Sequence, residues 1–381
     1  MDNTVYWNAY LVRLFIPLDI LLILFMITGV AGNGLVIYIY GLKMQNVKDG
    51  QYFIPYLAVA DLFASVICSL FGLLTTLMPL TYEFDILCKF GWLLSSGTTF
   101  MSVFLLVSIA IQRYMKVCRR KGTMMTLKWK RIIIIGAVFL SAVLAGPSVV
   151  TYGSIPFKSI NRNVTGMICG KITGTVSIVY DIVMVVGVIL CCGFLIVPYC
   201  LIALKTHRYL KKEVQSRSEL QKRRKNEKSE NQNTQSSIST LDNEYSIPVQ
   251  SNEQRSNESV IDLDNNSLSN YSTIIKKQAM KIRKKNLRLI NKITKIFMII
   301  TLIFLLCSLP KITITILETL TPNFWENTTD FERLVLMFVH QGYILNNIAN
   351  PFIYTFFDET FKTEIKNIFS QRICTRKRYT L

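Results

Sequence analysis

The sequence predicts an all-α membrane protein, a seven-transmembrane helix bundle with a short amphipathic helix after the seventh span. Three observations lead to this fold class. Hydrophobic residues make up 51% of the 381-residue chain and charged residues only 18%. Several apolar runs exceed the ~18 residues that read as a membrane-spanning helix. Lysine and arginine concentrate in alternate connections between these runs, as expected of a chain that crosses a membrane repeatedly.

Hydropathy places the seven spans at Leu14–Tyr40, Phe53–Leu77, Leu87–Tyr114, Ile132–Val150, Val176–Leu204, Ile293–Leu317 and Leu334–Phe356. The predicted regions are a short extracellular tail (1–13), spans one to five (14–204), a disordered third intracellular loop (205–288), spans six and seven (289–356), and an amphipathic helix with a cytoplasmic tail (357–381). The loop is predicted to be disordered because it is polar and nearly free of large apolar residues. Its two basic ends leave open a helical extension of the fifth and sixth spans.

The distribution of charge orients the chain in the membrane. With the N-terminus outside, the inner connections hold most lysines and arginines, among them the cluster at 116–131, while Glu83 and Asp85 lie outside. This pattern predicts a multi-pass plasma-membrane protein with an external N-terminus. The net charge of +19 then indicates contact with membrane lipids and an acidic cytoplasmic partner, and no nucleic acid.

The first two spans contain polar residues that need partners. Asn33 lies between Gly32 and Gly34, and glycines allow neighbouring helices to approach closely, so we expect Asn33 to bond to another helix. Asp61 lies in the middle of the second span, where a carboxylate costs at least ~2.5 kcal/mol on insertion scales. We therefore expect Asp61 to be functional or paired.

The third span carries a regular stripe of distinctive residues on one helix face. These are Cys88, Trp92, Ser95, Thr99, Ser102, Leu106, Ile109 and Arg113. The stripe is about 38 Å long at 1.5 Å per residue, which is close to the bilayer thickness. It predicts a helix that crosses the membrane with a cysteine at the outer face and an arginine at the inner face.

The outer connections contain two cysteines and two glycosylation sequons. Cys88 and Cys169 are the only cysteines on the predicted outer side, where the compartment is oxidising and allows a disulfide bond. Asn163 and Asn327 each begin an Asn-x-Thr sequon and are candidate glycosylation sites.

The fifth and sixth spans contain kinking prolines, Pro198 and Pro310. Lys311 follows Pro310, and a lysine at that depth should face a bundle interior or a wet cavity. Two roles remain open. The first choice is an internal ion pair with Asp181 or Glu318, and the second is capture of an acidic group of a ligand.

The seventh span places His340, Tyr343, Asn347, Asn350 and Tyr354 at helical spacing, and Pro351 kinks it. We interpret His340 as a pocket-wall residue because no second metal ligand is apparent. Residues 358–369 predict an amphipathic helix that lies on the membrane surface. Cys374 beyond it is a candidate palmitoylation site.

The chain from Asn33 to about Phe369 resembles the rhodopsin-like (class A) G-protein-coupled receptors. The motifs that match are Gly32-Asn33, Leu57-Ala58-Val59-Ala60-Asp61, the pair Cys88 and Cys169, Arg113-Tyr114, the helix prolines Pro147, Pro198 and Pro310, and Asn350-Pro351-Phe352-Ile353-Tyr354. Each is weak alone, but together, in order and on the right spans, they are specific.

The resemblance implies a receptor that activates a heterotrimeric G protein and is not an enzyme. It implies a disulfide between Cys88 and Cys169, and a coupling and activation set of Arg113, Tyr114, Pro310, Asn350, Pro351 and Tyr354. It implies no cofactor, with a sodium ion as a candidate ligand of Asp61, Ser102, Asn346 and Asn347. Departures from the family pattern are Gln112 in place of an acid, Ile290 where some members have a second acid, and Ser308 in place of a tryptophan. Gln112 predicts a softened resting state, because it offers Arg113 no charge-assisted bond.

The choice of ligand rests on what the third and seventh spans lack. Amine receptors have an aspartate where this chain has Ser95, and opsins have a lysine where it has Ile344. We therefore expect a neuropeptide-like ligand, with a non-amine small molecule as the alternative and a hairpin lid at residues 152–170. The candidate ligand contacts are Ser95, Thr99, Asp181, Lys311, Thr315, Glu318, His340 and Tyr343. A seven-span transporter or ion pump, with Asp61 and Lys311 as midplane charges, is the alternative from another class.

Overall fold

The structure is a computed structural model that describes residues 3–44, 51–118, 125–159, 164–241, 292, 294–321 and 324–378. The chain divides into two units. One comprises residues 1–201 and 293–381, and the other residues 202–292. The first unit contains the helix bundle and the hairpin, and all the sites discussed below lie within it.

The described elements are, in order, α1 (Asn3–Val36) with a π-helical continuation (Ile37–Lys43), α2 (Ile54–Leu77), α3 (Asp85–Cys118), α4 (Leu127–Ala145), α5 (Ser148–Thr151), β1 (Tyr152–Ser159), β2 (Val164–Lys171), α6 (Thr175–Leu241), α7 (Thr294–Leu320), α8 (Asp330–Gln341), a 3-10 turn (Gly342–Ile344), α9 (Leu345–Phe357) and α10 (Glu359–Arg378). We call the end of the bundle that carries β1 and β2 the hairpin end, and the opposite end the α10 end.

Six helices in the described part of the chain are long and apolar enough to cross a membrane. They correspond to the first six predicted spans. The seventh span is present as α8 and α9, which the 3-10 turn at Gly342–Ile344 joins, so it does not form one continuous helix. The predicted helix after the last span is present as α10. The predicted fold class is therefore confirmed.

The predicted tail at residues 1–13 is instead helical from Asn3 onwards. Tertiary contacts explain the extension. Leu11 and Phe15 pack with Leu80 and Val164 in one buried cluster, and the backbone N–H of Leu80 donates a hydrogen bond of 3.0 Å to the Asn8 side chain. These contacts come from distant parts of the sequence, so hydropathy alone placed the start of the helix too late.

The prediction of disorder is wrong for residues 205–241, because α6 continues through them to Leu241. This stretch contains no glycine or proline and is rich in lysine, glutamate and glutamine, which are strong helix formers. The helical extension that the basic end left open is the better description there. The remainder of the predicted loop, 242–288, lies outside the described residues.

The predicted hairpin is present as an antiparallel pair in which Tyr152 faces Lys171 and Ser154 faces Cys169. A disulfide joins Cys169 to Cys88 across a Cα–Cα distance of 5.5 Å, which confirms the predicted bridge. The hairpin also bonds to the segment after α2, since Met167 donates from its backbone N–H to Leu80 at 2.9 Å. A Cβ at Gly166 would overlap the Leu80 carbonyl oxygen, so this contact requires a glycine.

Close helix contacts in the bundle follow the pattern expected from the first span. A Cβ on Gly32 would lie 2.9 Å from Pro351 Cγ, which shows how tightly α1 packs on α9. Asn33 is fully buried and donates from Nδ2 to the Asn347 carbonyl oxygen at 2.9 Å. The expectation that Asn33 needs a partner on another helix is therefore confirmed.

Candidate functional site

The polar stripe of α3 faces the bundle interior. Cys88, Ser95, Ser102, Ile109 and Arg113 are all buried, while the lipid-facing side of the same helix exposes large apolar residues. One helix thus carries side chains to both ends of the bundle and to its centre. The functional residues form three groups along it, which are described in turn from the centre outwards.

Asp61 forms the central group and is fully buried. Ser102 Oγ donates to Asp61 Oδ1 at 2.7 Å, and Asn350 Nδ2 donates to Asp61 Oδ2 at 2.6 Å. Asn350 had been assigned to coupling, so its bond to Asp61 was missed, although both residues lie in motifs that the sequence singled out. Asn347 is buried in the same helix as Asn350, and its backbone carbonyl oxygen accepts the bond from Asn33.

Among the residues that the structure describes, the Oδ1 atom of Asn350, whose Nδ2 bonds to Asp61, has no hydrogen-bond partner. The buried Oδ1 atom of Asn346, in the same helix, has none either. Buried acceptors normally find a donor or a cation, because leaving them unpaired costs about 1–3 kcal/mol. The oxygen atoms of this group therefore fit a small hard cation such as sodium.

Arg113 forms the second group, at the α10 end, and is 1% exposed. Its guanidinium carbon lies 4.9 Å from the centroid of the Phe297 ring, a cation–π contact. Phe297 meets the edge of Tyr354, whose ring also packs against Tyr40 and Phe361. The arginine thus packs on Phe297 of α7. This ring belongs to an aromatic cluster with Tyr354 of α9, Phe361 of α10 and Tyr40 of the π-helical continuation of α1.

The other predicted coupling residues lie in separate places. Tyr114 is half-buried near the end of α3, and Pro310 lies within α7. Pro351 is buried against Gly32 in α9. Gln112, which precedes Arg113 in the chain, is also buried. Ile290 lies outside the described residues.

Asp358 connects the elements of the α10 end, and sequence reasoning missed it. Its Oδ2 accepts bonds from Tyr40 Oη at 2.7 Å and Gln51 Nε2 at 3.2 Å, and its Oδ1 accepts from the Thr360 backbone N–H at 2.9 Å. The available signal was an aspartate just before an amphipathic helix, which is a typical N-cap. Nearby, Lys43 pairs with Glu364 at 2.6 Å, and this lysine lowers the pKa of Glu364.

The third group lies at the hairpin end, where the predicted pairing of Lys311 is wrong. Asp181 instead binds Lys171 of β2, and both contact the Thr319 hydroxyl, at 3.0 Å from Lys171 Nζ and 2.9 Å from Asp181 Oδ2. Burial lowers the pKa of Lys171. The folded hairpin brings Lys171 to Asp181. The sequence could not predict which of the two lysines would pair with Asp181, because neither is adjacent to it along the chain.

Lys311 lies above an aromatic ring, with its Nζ 3.3 Å from the centroid of Tyr343. The Tyr343 hydroxyl is in turn 3.1 Å from Ser95 Oγ, within hydrogen-bond distance. Three of the eight predicted ligand contacts therefore meet. Thr99 and Thr315 bond to the carbonyl oxygens of Ser95 and Lys311 in their own helices, so both hydroxyls serve local structure.

His340 and Glu318 occupy separate positions at this end. His340 Nδ1 is buried and has no hydrogen-bond partner in the described ranges. Those ranges also hold no group of three histidine, cysteine or acidic residues that could bind a metal. The interpretation of His340 as a pocket-wall residue stays a prediction. Glu318 Oε1 accepts a bond of 3.0 Å from Trp325 Nε1.

A cavity of about 190 Å³ lies beneath the hairpin. Its walls come from the first turns of α1, the end of α2, both strands, the α7–α8 connection and the start of α8. Of the eight predicted ligand contacts, only Glu318 lines it. Sequence reasoning missed Trp7 and Leu11 as wall residues, because the segment that contains them was interpreted as a tail.

The predicted modification sites are described only in part. Asn327 is exposed in the connection between α7 and α8. Asn163 lies outside the described residues. Cys374 belongs to α10, within the part of that helix whose side chains are not described.

Comparisons with known proteins agree with this arrangement. A sequence model of the family described as 7 transmembrane receptor (rhodopsin family) matches residues 32–354. The crystal structure of squid rhodopsin is similar in fold, with a TM-score of 0.65 and 16% identity over 96% of this chain and 87% of that chain.

Two curated relatives match shorter stretches. The gastrin/cholecystokinin type B receptor of Sus scrofa is 35% identical over 91 residues, which is 24% of this chain and 20% of that receptor. The tachykinin-like peptides receptor 86C of Drosophila melanogaster is 28% identical over 146 residues, 38% of this chain and 29% of that protein. The chain therefore spans a fifth to less than a third of the length of these relatives.

Proposed function

Because the chain belongs to the rhodopsin family of seven-transmembrane receptors, we propose that it binds an extracellular neuropeptide and activates a heterotrimeric G protein. In this proposal the hairpin end faces the outside and the α10 end the cytoplasm. The observation that carries it is the pairing of a lidded cavity at one end with a buried Arg113 at the other. The names of the two curated relatives, both peptide receptors, favour a peptide as the ligand.

The buried state of Arg113 suits a resting receptor. The arginine packs on Phe297 of α7, so a shift of α7 that carries Phe297 away would expose the guanidinium to a partner at the α10 end. A ligand can drive such a shift only if it binds the open arrangement more tightly than the closed one. The G protein must share that preference, and the two bindings then strengthen each other.

Sodium bound near Asp61 would oppose the shift. The Asp61 carboxylate, the Ser102 hydroxyl that bonds to it, and the amide groups of Asn346 and Asn347 are the residues of this chain that would hold it. Bound sodium would supply a positive charge that offsets the cost of burying Asp61. We expect sodium chloride to raise the melting temperature of the purified chain more than choline chloride does, and Asp61→Asn to remove the difference.

Nucleotide exchange on a G protein is the direct test of the proposed function. Membranes that contain the full chain are mixed with heterotrimeric G proteins and challenged with a peptide library, a panel of biogenic amines and a panel of other small metabolites. We expect at least one peptide to accelerate exchange. Arg113→Ala should abolish that acceleration while peptide binding persists, whereas Arg131→Ala, an exposed arginine of α4, should leave both unchanged.

Other outcomes would replace parts of the proposal. Activation by a biogenic amine with silent peptides would overturn the ligand class, and activation by a non-amine metabolite would favour the small-molecule alternative. Solute flux without nucleotide exchange would favour a transporter. The orientation is tested separately: an endoglycosidase should reduce the mass of the wild-type chain by one glycan more than that of Asn327→Gln.

A further inference from the structure

The cavity beneath the hairpin has a wall that belongs to this chain's own N-terminal segment. Trp7, Leu11 and Phe15 lie on the first turns of α1 and line it, together with Phe157 of β1 and Trp325 of the α7–α8 connection. Its volume of about 190 Å³ is below the ~300–1,000 Å³ of a typical small-molecule pocket. The size suits one or two side chains of a larger ligand whose remainder lies outside.

Four aromatic rings line the cavity, and neighbouring residues hold three of them in place. Phe15 is buried in the cluster that joins α1 to Leu80 and Val164. Trp7 packs edge-on against Tyr10, whose hydroxyl donates to Asp330 at 2.8 Å. Trp325 is anchored through Nε1 to Glu318 and through its carbonyl oxygen to the Arg333 guanidinium. Fixed aromatic faces around a small cavity attract a cation, because the face of each ring is negative.

The charged groups of the lining are two carboxylates and one guanidinium. Glu318 and Glu326 are the acids and Arg333 is the base. Arg333 is engaged with the Trp325 carbonyl oxygen, and Glu326 accepts a bond of 2.9 Å from Ser159. Lys171 is the other cation close to Glu318, but Asp181 and Thr319 hold it. Within the described lining, two carboxylates therefore outnumber one guanidinium, and the positive charge that acts on Glu318 comes from Lys171 of β2, which lies outside the lining.

We propose that this cavity binds one arginine or lysine side chain of the peptide ligand, with the Glu318 carboxylate receiving the cationic group and the Trp7 and Trp325 rings packing along its stem. The inference rests on the proposed function for the existence of a peptide ligand. It adds the identity of the anchoring side chain and a binding role for residues at the start of the chain. An acidic ligand group is disfavoured here, because it would meet two carboxylates and a set of aromatic faces.

Affinity selection with peptides tests the site without knowledge of the natural ligand. The full chain is purified into lipid nanodiscs, incubated with a random heptapeptide library, and the retained peptides are sequenced by mass spectrometry. We expect the retained peptides to be enriched in arginine or lysine over the input library. A retained peptide should bind at least about tenfold more weakly to Glu318→Gln, since a charge-assisted bond in a partly desolvated site is lost.

Matched variants separate the site from general effects. Glu318→Gln keeps an oxygen for the Trp325 bond, so its melting temperature should stay close to that of the wild type. Glu83→Gln removes a carboxylate from the hairpin end away from the cavity and should retain wild-type affinity. Trp7→Leu should lower the affinity for basic peptides severalfold. Trp7→Phe keeps an aromatic face and should retain most of the wild-type affinity.

Each outcome decides between the possibilities. Retained peptides without cationic residues, unchanged affinity in Glu318→Gln, or no retained peptide at all would overturn the inference. Basic peptides that bind through Glu318 but never stimulate nucleotide exchange would leave the cavity as proposed and refute the receptor function. Peptides that stimulate exchange equally in wild type and Glu318→Gln would support the receptor function and refute the proposed role of the cavity.

Discussion

The hairpin end and the α10 end of the bundle are held together by different kinds of contact. At the hairpin end, a disulfide between Cys88 and Cys169 and the backbone ladder of β1 and β2 position the walls of a cavity. At the α10 end, the contacts are between side chains: the Asp358 carboxylate and the stacked rings of Tyr40 and Phe361.

The difference teaches which end can change shape at low cost. A disulfide does not exchange on the timescale of binding, and the antiparallel ladder fixes the register of β1 against β2 from Tyr152 to Ser159. Each aromatic contact contributes only about 0.5–1.5 kcal/mol beyond its buried area, so such contacts can be replaced one by one. The hairpin end is therefore built to hold a fixed shape, and the α10 end to move between alternatives.

The disulfide provides the largest expected effect and the strongest test of this comparison. Cys88 and Cys169 are 81 residues apart, and a loop of that size destabilises the unfolded chain by about 4.5 kcal/mol in the chain-entropy model. Cys88→Ser should therefore lower the melting temperature strongly and reduce surface expression. Cys200→Ala, at an exposed free cysteine, is the control and should leave both unchanged. Equal melting temperatures for Cys88→Ser and the wild type would contradict the covalent account.

Asp358→Ala is the corresponding change at the α10 end. It removes the acceptor for Tyr40 and Gln51 and the cap of α10, which together should cost roughly 3 kcal/mol of unfolding free energy. Thermal melting of the purified chain measures the loss. Asp358→Asn retains one side-chain oxygen and should lose less. If the two substitutions were equally mild, Asp358 would not be the residue that organises this end.

Gly166→Ala sharpens the account of the hairpin. The new Cβ would overlap the Leu80 carbonyl oxygen, and overpacking of this kind costs about 1–3 kcal/mol. Gly174→Ala is a matched control, because a Cβ there meets nothing within 4 Å. We expect a lower melting temperature and weaker peptide binding for the first variant only. Identical behaviour of the two would mean that the hairpin does not rest closely on the end of α2.

Gln112→Asp is expected to have the smallest effect on stability, and it tests whether the α10 end rests in a softened state. An aspartate beside the buried Arg113 would offer it a charge-assisted bond in the resting arrangement. We expect nucleotide exchange without ligand to fall severalfold, equivalent to ~1 kcal/mol in favour of the resting state. Gln51→Asp would be a poor control because Gln51 bonds to Asp358, so Gln215→Asp, at an exposed glutamine of α6, is preferred. Exchange that is absent in the wild type and unchanged in Gln112→Asp would refute the softened resting state.

Individual residues show which features of the structure the sequence can predict. The interior stripe of α3 followed from helical spacing, and the partner of Asn33 followed from the cost of an unpaired amide in a membrane span. Both are local arguments that need no knowledge of distant contacts. The ion pair of Asp181 failed for the opposite reason, since it depended on which of two cations the folded hairpin brought nearer.

Two other features of the structure have local signals in the sequence. Asp358 stood in a cap position before an amphipathic helix, and the stretch 205–241 lacked every helix breaker. Polarity predicts disorder for that stretch, whereas in the structure it continues α6 to Leu241, in line with its helix propensity.

The sequence by itself determined the number of spans and the interior face of the third helix, because membrane insertion ties hydrophobic length and periodicity directly to structure. The family and the disulfide followed from the resemblance of its motifs to the rhodopsin-like receptors. Only the tertiary structure decided that residues 3–13 continue the first helix and wall a cavity, that Lys171 rather than Lys311 holds Asp181, and that Asp358 joins α1 to α10. These features depend on distances between residues far apart in the chain, and such distances exist only once the helices have packed.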